Sequence, residues 1–357
     1  MKTYIKFLSK IFLRSFIFVS LIVLSLVIIV NFLGELEFFK KIETTTFFTL
    51  YLSIINSPSI LFELFPFIFL ISTQLFFIKL FDKNQIQIFK YSGLKNSKIL
   101  LIISIASVAL GLTIISLFYE ASSNLKNIYL EVKSKYTTDG KYLAVINKNG
   151  LWIRDRIENK IFIINSSKID ENVLIDNFIT EFDQDYNVIR SIKSDKINIK
   201  TSKWLVLEPE IFRKNVKTKE KQIYISSNFD YKTIQSLFSN LRSLSILKLI
   251  ELKENYEMLN YSTVEVNIQI QKIISYPIFL LLMTIFSGLI MLNTKRYKSD
   301  TFKISLGLFF CVIIYYLNNL FNVLGLTEKI HYIVAVWSPI FFLFLIISLM
   351  SVKINER

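Results

Sequence analysis

The chain has 357 residues, 52% of them hydrophobic, with 33 phenylalanines and a mean hydropathy of +0.46, and so much apolar mass excludes an ordinary soluble enzyme of two or three domains. One cysteine and one histidine exclude a disulfide framework, a cysteine zinc site and a multi-histidine metal centre, while eight glycines and five prolines leave no long flexible linker or Walker-type phosphate loop. The net charge of +14 fits either nucleic acid or an anionic membrane surface, and the placement of the charges decides between them.

Residues 15–33 (SFIFVSLIVLSLVIIVNFL) carry no charge and are long enough to cross about 30 Å of hydrocarbon. Lys2, Lys6, Lys10 and Arg14 resemble the basic start of a signal peptide. The apolar run is too long for one and no A-x-A-like site follows, so a retained anchor is expected. Further spans are expected at 58–81 and 99–119, then at 273–293, 302–324 and 332–352. That layout is three spans (1–119), an insert (120–270) and three spans (271–357). Lysine and arginine concentrate before span one, after span two (Lys83, Lys90, Lys95, Lys98) and after span four (Lys295, Arg296, Lys298, Lys303). By the positive-inside rule both termini are cytoplasmic and the insert lies on the far side. The insert's own charges nearly balance, which removes nucleic acid as a partner.

Within the insert, YLAVIN (142–147), GLWIRD (150–155), KIFIIN (160–165), DKINIK (195–200), KWLVLE (203–208) and KQIYIS (221–226) read as short strands. In DKINIK, Ile197 and Ile199 share a face. Such spacing predicts an antiparallel sandwich or jelly roll. Over 232–262 the period changes, with Leu237, Leu241, Leu244, Leu247 and Leu252 recurring nearly helically.

No catalytic constellation, metal site or cofactor motif appears. His331 reads as an interfacial polar residue, Cys311 as a small apolar residue in span five, and Asp183 with Asp185 as turn formers. Two stretches carry more. Residues 82–98 (DKNQIQIFKYSGLKNSK) predict a short amphipathic cytoplasmic helix over about 82–97, with Ile86, Phe89 and Leu94 at helical spacing and Gly93 as its stop. Such a helix lies on the bilayer or docks in a partner's groove, and composition does not choose between them. The second stretch, NFLGELEFFKK (31–41), places Glu35, Glu37, Lys40 and Lys41 at the far boundary of span one. There they are either snorkelling charges or a polar rim on an amphiphile path.

This layout resembles the LptF/LptG family of lipopolysaccharide export permeases, over about residues 4–352. Pro58 and Pro66, eight residues apart, open span two as in that family. NQIQIFKYSGL (84–94) is similar to its coupling-helix motif, GLWIRD (150–155) to the G-L-W-x-[RK]-D of the LptG branch, and Ser275-Tyr276-Pro277 to the opening of its fourth span. The resemblance implies a non-catalytic subunit, without cofactor, in the bacterial inner membrane: six helices, three and three, around a periplasmic β-jelly roll. It implies an LptF-like second permease, an LptB-like ATPase dimer, LptC-like and LptA-like bridge proteins, and lipopolysaccharide as cargo. The coupling helix would use Asn84, Gln85, Ile86, Phe89, Lys90 and Gly93. Candidates for the lipid path are Lys40 and Lys41 at the rim, Phe309, Tyr315 and Tyr316 on span five, and Trp152, Ile161 and Ile163 as inward residues of the insert strands.

Two positions depart from the family pattern. Gln85 is neutral where the coupling helix carries an acid, which permits a hydrogen bond to the ATPase but no salt bridge. Asn31, Glu35 and Glu37 stand where some members carry lysines. Three other readings stay open: the sister subunit LptF, a lipoprotein-release type of permease, and a membrane-anchored structural protein without transport activity.

Overall fold

The computed structural model describes residues 3–42, 44–134, 136, 151–157, 160–170, 172–213, 216–229, 231, 234, 240–258, 261–293 and 299–352. The chain divides into two compact units, Met1–Tyr129 with Val264–Arg357, and Leu130–Thr263.

The first unit is helical. It begins with α1 (Thr3–Phe38) and α2 (Thr46–Asp82), followed by the short α3 (Gln85–Tyr91) and α4 (Asn96–Thr113). A π-helical turn at Ile114–Tyr119 leads from α4 into α5 (Glu120–Ser134). After α6 (Ile246–Met258) of the second unit, α7 (Val264–Asn293), α8 (Asp300–Leu326) and α9 (Tyr332–Ser351) complete the bundle. Among the described residues six helices are long and apolar enough to cross a membrane, α4 and α5 counting as one. Most run well past the apolar windows read from sequence. Hydropathy marks only residues at hydrocarbon depth, whereas backbone hydrogen bonding continues into the interface.

Prolines inside the helices explain part of the packing. Pro66 has no N–H, so the carbonyl of Phe62 loses its helical donor. The Tyr276 hydroxyl of α7 donates to that carbonyl, and its ring stacks on Phe62 at 4.5 Å. Two of the motif elements, Pro66 and Ser275-Tyr276-Pro277, therefore meet in one contact. Close by, Ser287 of α7 donates to the Leu70 carbonyl of α2 at 2.7 Å. His331 caps α9, its Nδ1 accepting from the Ile333 amide at 3.4 Å.

Among its described residues the second unit has eight antiparallel strands: β1 (Leu151–Ile157), β2 (Lys160–Asp170), β3 (Val173–Phe182), β4 (Val188–Asn198), β5 (Lys203–Leu207), β6 (Glu210–Arg213), β7 (Val216–Lys219) and β8 (Gln222–Ser226). They pair in the order β1-β2-β3-β4-β5-β8, with β6 on β4 and β7 on β6. A row of isoleucines crosses five strands: Ile153, Ile164, Ile179, Ile192 and Ile211 are register partners and all buried. Ile197 and Ile199 are buried as well, as is Trp204, whose indole N–H donates to the Phe229 carbonyl at 2.7 Å.

The helical membrane protein with an inserted antiparallel β domain read from the sequence is the fold found. The strand expected at 142–147 lies outside the described residues, as do Gly150, Leu237 and the basic loop residues Lys295, Arg296 and Lys298. Sequence reading passed over β3, β6 and β7. β3 carries a buried Asn177 and Glu181 among its apolar residues, and no residue of β7 is buried, so neither follows simple alternation.

Candidate functional site

The helix between spans two and three is built by its two ends. Asn84 takes the left-handed conformation (φ 52°) and its amide donates to the Phe81 carbonyl at 2.9 Å, turning the chain out of α2. At the other end Gly93 (φ 78°) donates to the Lys90 carbonyl and Leu94 to the Phe89 carbonyl, both at 2.9 Å. This is a Schellman closure, and its glycine is required because a side chain is strained at that φ. The expected stop at Gly93 thus has a geometric cause.

The faces of α3 divide cleanly. Ile86 and Leu94 are buried in the core of the bundle, and Phe89 is half-buried with its ring 6.2 Å from that of Phe7. The outer face presents Ile88, Lys90 and Tyr91, the last 89% exposed. Gln85, at the first position of the helix, holds a buried Oε1 with no hydrogen-bond partner. The sequence motif therefore mixes two roles: Ile86 and Phe89 attach α3 to its own bundle, while Ile88 and Tyr91 face outward. Apolar spacing in the sequence finds Ile86 and Phe89 and passes over the exposed Ile88 and Tyr91.

At the far end of span one the first acid, Glu35, turns inward. Glu35 is only 3% exposed and accepts from the Tyr129 hydroxyl of α5 at 2.7 Å. One turn earlier Asn31 bonds both the Ser53 carbonyl and the Asn56 amide of α2 at 3.1 Å, and Lys126 donates to Asn56 Oδ1 at 2.6 Å. Asn31 and Glu35, an i,i+4 pair, thus bind α1 to α2 and α5. Glu37 and Lys40 are exposed, while the side chain of Lys41 lies outside the described residues.

On α8, Phe309, Tyr315 and Tyr316 all face outward. In the β domain the register corrects one expectation. Trp152 pairs with Asn165 on the face opposite the buried isoleucine row and is 53% exposed, so it is not an inward residue. Ile163, opposite Arg154, shares that outer face and is half-buried. Ile161 alternates onto the same face yet is buried. The inner face of β1 is instead Leu151, Ile153 and Asp155.

Asp155, the acid of the G-L-W motif, is buried and accepts from the Ser227 hydroxyl (2.8 Å), the Asn228 amide (3.0 Å) and the Asn228 side chain (2.7 Å). It thereby joins β1 to the segment just after β8, the two ends of the pairing order. A second buried acid, Glu181, meets Lys160 at 2.8 Å and Arg190. Burial alone would raise its pKa, but the two cations outweigh it and hold the carboxyl below its ordinary value. Asp183 is a turn former, accepting from the Asp185 and Asn187 amides at 2.9 and 2.8 Å. Among the described residues no group of three or more His, Cys, Asp and Glu side chains could hold a metal ion.

The family described as "Lipopolysaccharide export system permease LptF/LptG" matches residues 6–353. A comparison with curated proteins finds no match. With nearly the whole chain covered, six apolar helices, an inserted antiparallel sheet and a short helix between spans two and three, the chain belongs to the LptF/LptG family of lipopolysaccharide export permeases.

Proposed function

We propose that this chain is the LptG-type half of a two-permease transporter in the bacterial inner membrane, with both termini cytoplasmic and the β domain periplasmic. It pairs with an LptF-like permease. Its α3 docks on an LptB-like ATPase dimer, which supplies the hydrolysis. The β domain passes lipopolysaccharide to LptC-like and LptA-like bridge proteins. The observation that carries this reading is α3 itself, a helix pinned by Ile86, Phe89 and Leu94 that leaves Ile88 and Tyr91 uncovered beside Lys90. Two aliphatic and aromatic side chains beside a cation suit a groove on a soluble partner. The GLWIRD segment supports the LptG assignment over LptF. The exposed rings of Phe309, Tyr315 and Tyr316 and the Lys40–Lys41 pair are offered as contacts of the lipid path. On the β domain, Trp152 and Ile163 are offered as the same, with Ile161 buried on the same face.

The test uses Tyr91 because it makes little contact with its own chain. A Tyr91→Asp variant should reach the membrane at parental level and lose about tenfold or more of the ATPase that co-purifies with it. Full recovery of the ATPase would remove α3 as the docking element. Phe89→Asp is a weaker test, since it also breaks the packing against Phe7 that holds α3 in place.

A further inference from the structure

Gln74 lies eight residues before the end of α2, inside the membrane-spanning segment, and is completely buried. Its Nε2 donates to the Lys303 carbonyl of α8 at 2.9 Å, whereas its Oε1 is buried without a partner. The carboxamide lies against Gly307, where an added Cβ would overlap the Gln74 amide nitrogen and come within 2.9 Å of Oε1. A buried amide left half-satisfied costs stability, so packing alone does not account for a glutamine at this position.

The same pair of helices meets again one heptad further along α2. The Lys303 side chain is buried, its ammonium 3.2 Å from Asp300 and 4.9 Å from the centroid of the Phe81 ring. Gln74 and Phe81 are seven residues apart on α2. Lys303 and Gly307 are four apart on α8, so each pair shares a face of its helix. Phe81 is also the residue whose carbonyl accepts the Asn84 amide in the turn into α3. One continuous set of contacts therefore runs from that turn, through Phe81 and Gln74, to the first two turns of α8.

Beyond this base α8 is the least buried of the six spans, with 11% of its most apolar stretch covered. Its other contacts include the ring pairs Phe286–Phe310 (5.5 Å) and Phe67–Tyr315 (6.0 Å), which slide without breaking a hydrogen bond. At its other end Gly325 packs closely on Ala335 of α9 and Ile268 of α7, so the stretch between the two ends is the loosely covered part of α8.

We propose that Gln74 and Lys303 are positioning residues. They fasten the base of α8 to the part of α2 that turns into α3, so a displacement of α3 by its ATPase partner is passed to α8. This inference rests on the transporter reading above. The unpartnered Oε1 leaves this contact able to accept a donor in a second arrangement.

The experiment uses the full complex in proteoliposomes, with lipopolysaccharide as cargo. ATP hydrolysis and lipid release are both recorded. Gln74→Leu keeps the bulk and removes the hydrogen bond, and Gly307→Ala drives a methyl group into the amide. Each should co-purify with the ATPase and hydrolyse ATP at close to the parental rate. Lipid released per ATP should fall about fivefold or more. With Gln74→Ala as the matching single variant, the double variant Gln74→Ala/Gly307→Ala should lose less than the product of the two single losses, because the new methyl occupies the space the amide leaves. Parental lipid release per ATP in both single variants would overturn the inference. Loss of assembly in both would also overturn it, by making the contact a folding requirement and not a transmitting one. A parental complex that hydrolyses ATP without releasing lipid would count against the transporter reading and not against this contact.

Discussion

α7 and α8 are consecutive spans of similar length and apolar character, yet 67% of the most apolar stretch of α7 is buried and only 11% of that of α8. α7 meets its neighbours with small and polar groups. Gly288 lets Phe77 and Leu100 approach its backbone, Ser287 bonds the Leu70 carbonyl, and Tyr276 satisfies the carbonyl freed by Pro66. α8 turns Phe309, Tyr315 and Tyr316 outward. In a bilayer, apolar residues gain little from facing another helix in place of lipid. Helices are joined by close approach and by hydrogen bonds the lipid cannot supply. The small and polar residues of α7 mark its inner face, and the large rings of α8 mark a surface left for lipid or for a partner.

The largest effect should come from filling the notch on α7. A Cβ at Gly288 would overlap Leu100 Cδ1 and come within 3.1 Å of Phe77 Cε2, so Gly288→Leu should cost about 1–3 kcal/mol. The thermal midpoint of the detergent-solubilised protein would report it. The same bulk added at Val312, on the outward face of α8, should leave the midpoint unchanged, and equal losses at both positions would break the comparison. Next in size is Tyr276→Phe, which keeps the ring stack on Phe62 and removes the donor to its carbonyl. A loss of about 0.6–2 kcal/mol is expected. An unchanged midpoint would mean that the freed carbonyl finds another donor.

These distinctions were only partly legible in the sequence. Six spans follow from hydropathy because crossing hydrocarbon demands about 20 apolar residues whatever they touch. The β domain follows from short alternating runs between turn residues. Direction did not follow. In the bundle both the inside and the lipid side are apolar, so the periodicity of Ile86, Phe89 and Leu94 finds a face of α3 without saying that it turns inward. In β1 the covered face carries Asp155 and the open face carries Trp152, which inverts the usual reading because Asp155 is satisfied by Ser227 and Asn228, more than 70 residues away. Glu35 looked interfacial for the same reason: its partner Tyr129 is 94 residues off. Gln74 had the one signal that could have been used, a lone carboxamide in an otherwise apolar run.

The smallest stability effect is the most informative about function. Tyr316 is 65% exposed on α8 and its ring meets that of Tyr315 at 5.7 Å on the same helix. Removing it uncovers no core, and Tyr316→Ala should change stability by no more than about 0.5 kcal/mol. An exposed ring that covers no core is available to whatever meets it from outside. If α8 borders the lipid path, a photo-crosslinker at position 316 should label lipopolysaccharide more strongly when ATP is supplied than when it is withheld. If α8 packs on the second permease instead, the crosslink should go to that protein and ignore ATP. Either product identifies this face as a contact surface. Labelling of bulk phospholipid alone, unaffected by ATP, would return Tyr316 to the ordinary lipid-facing side of a membrane helix.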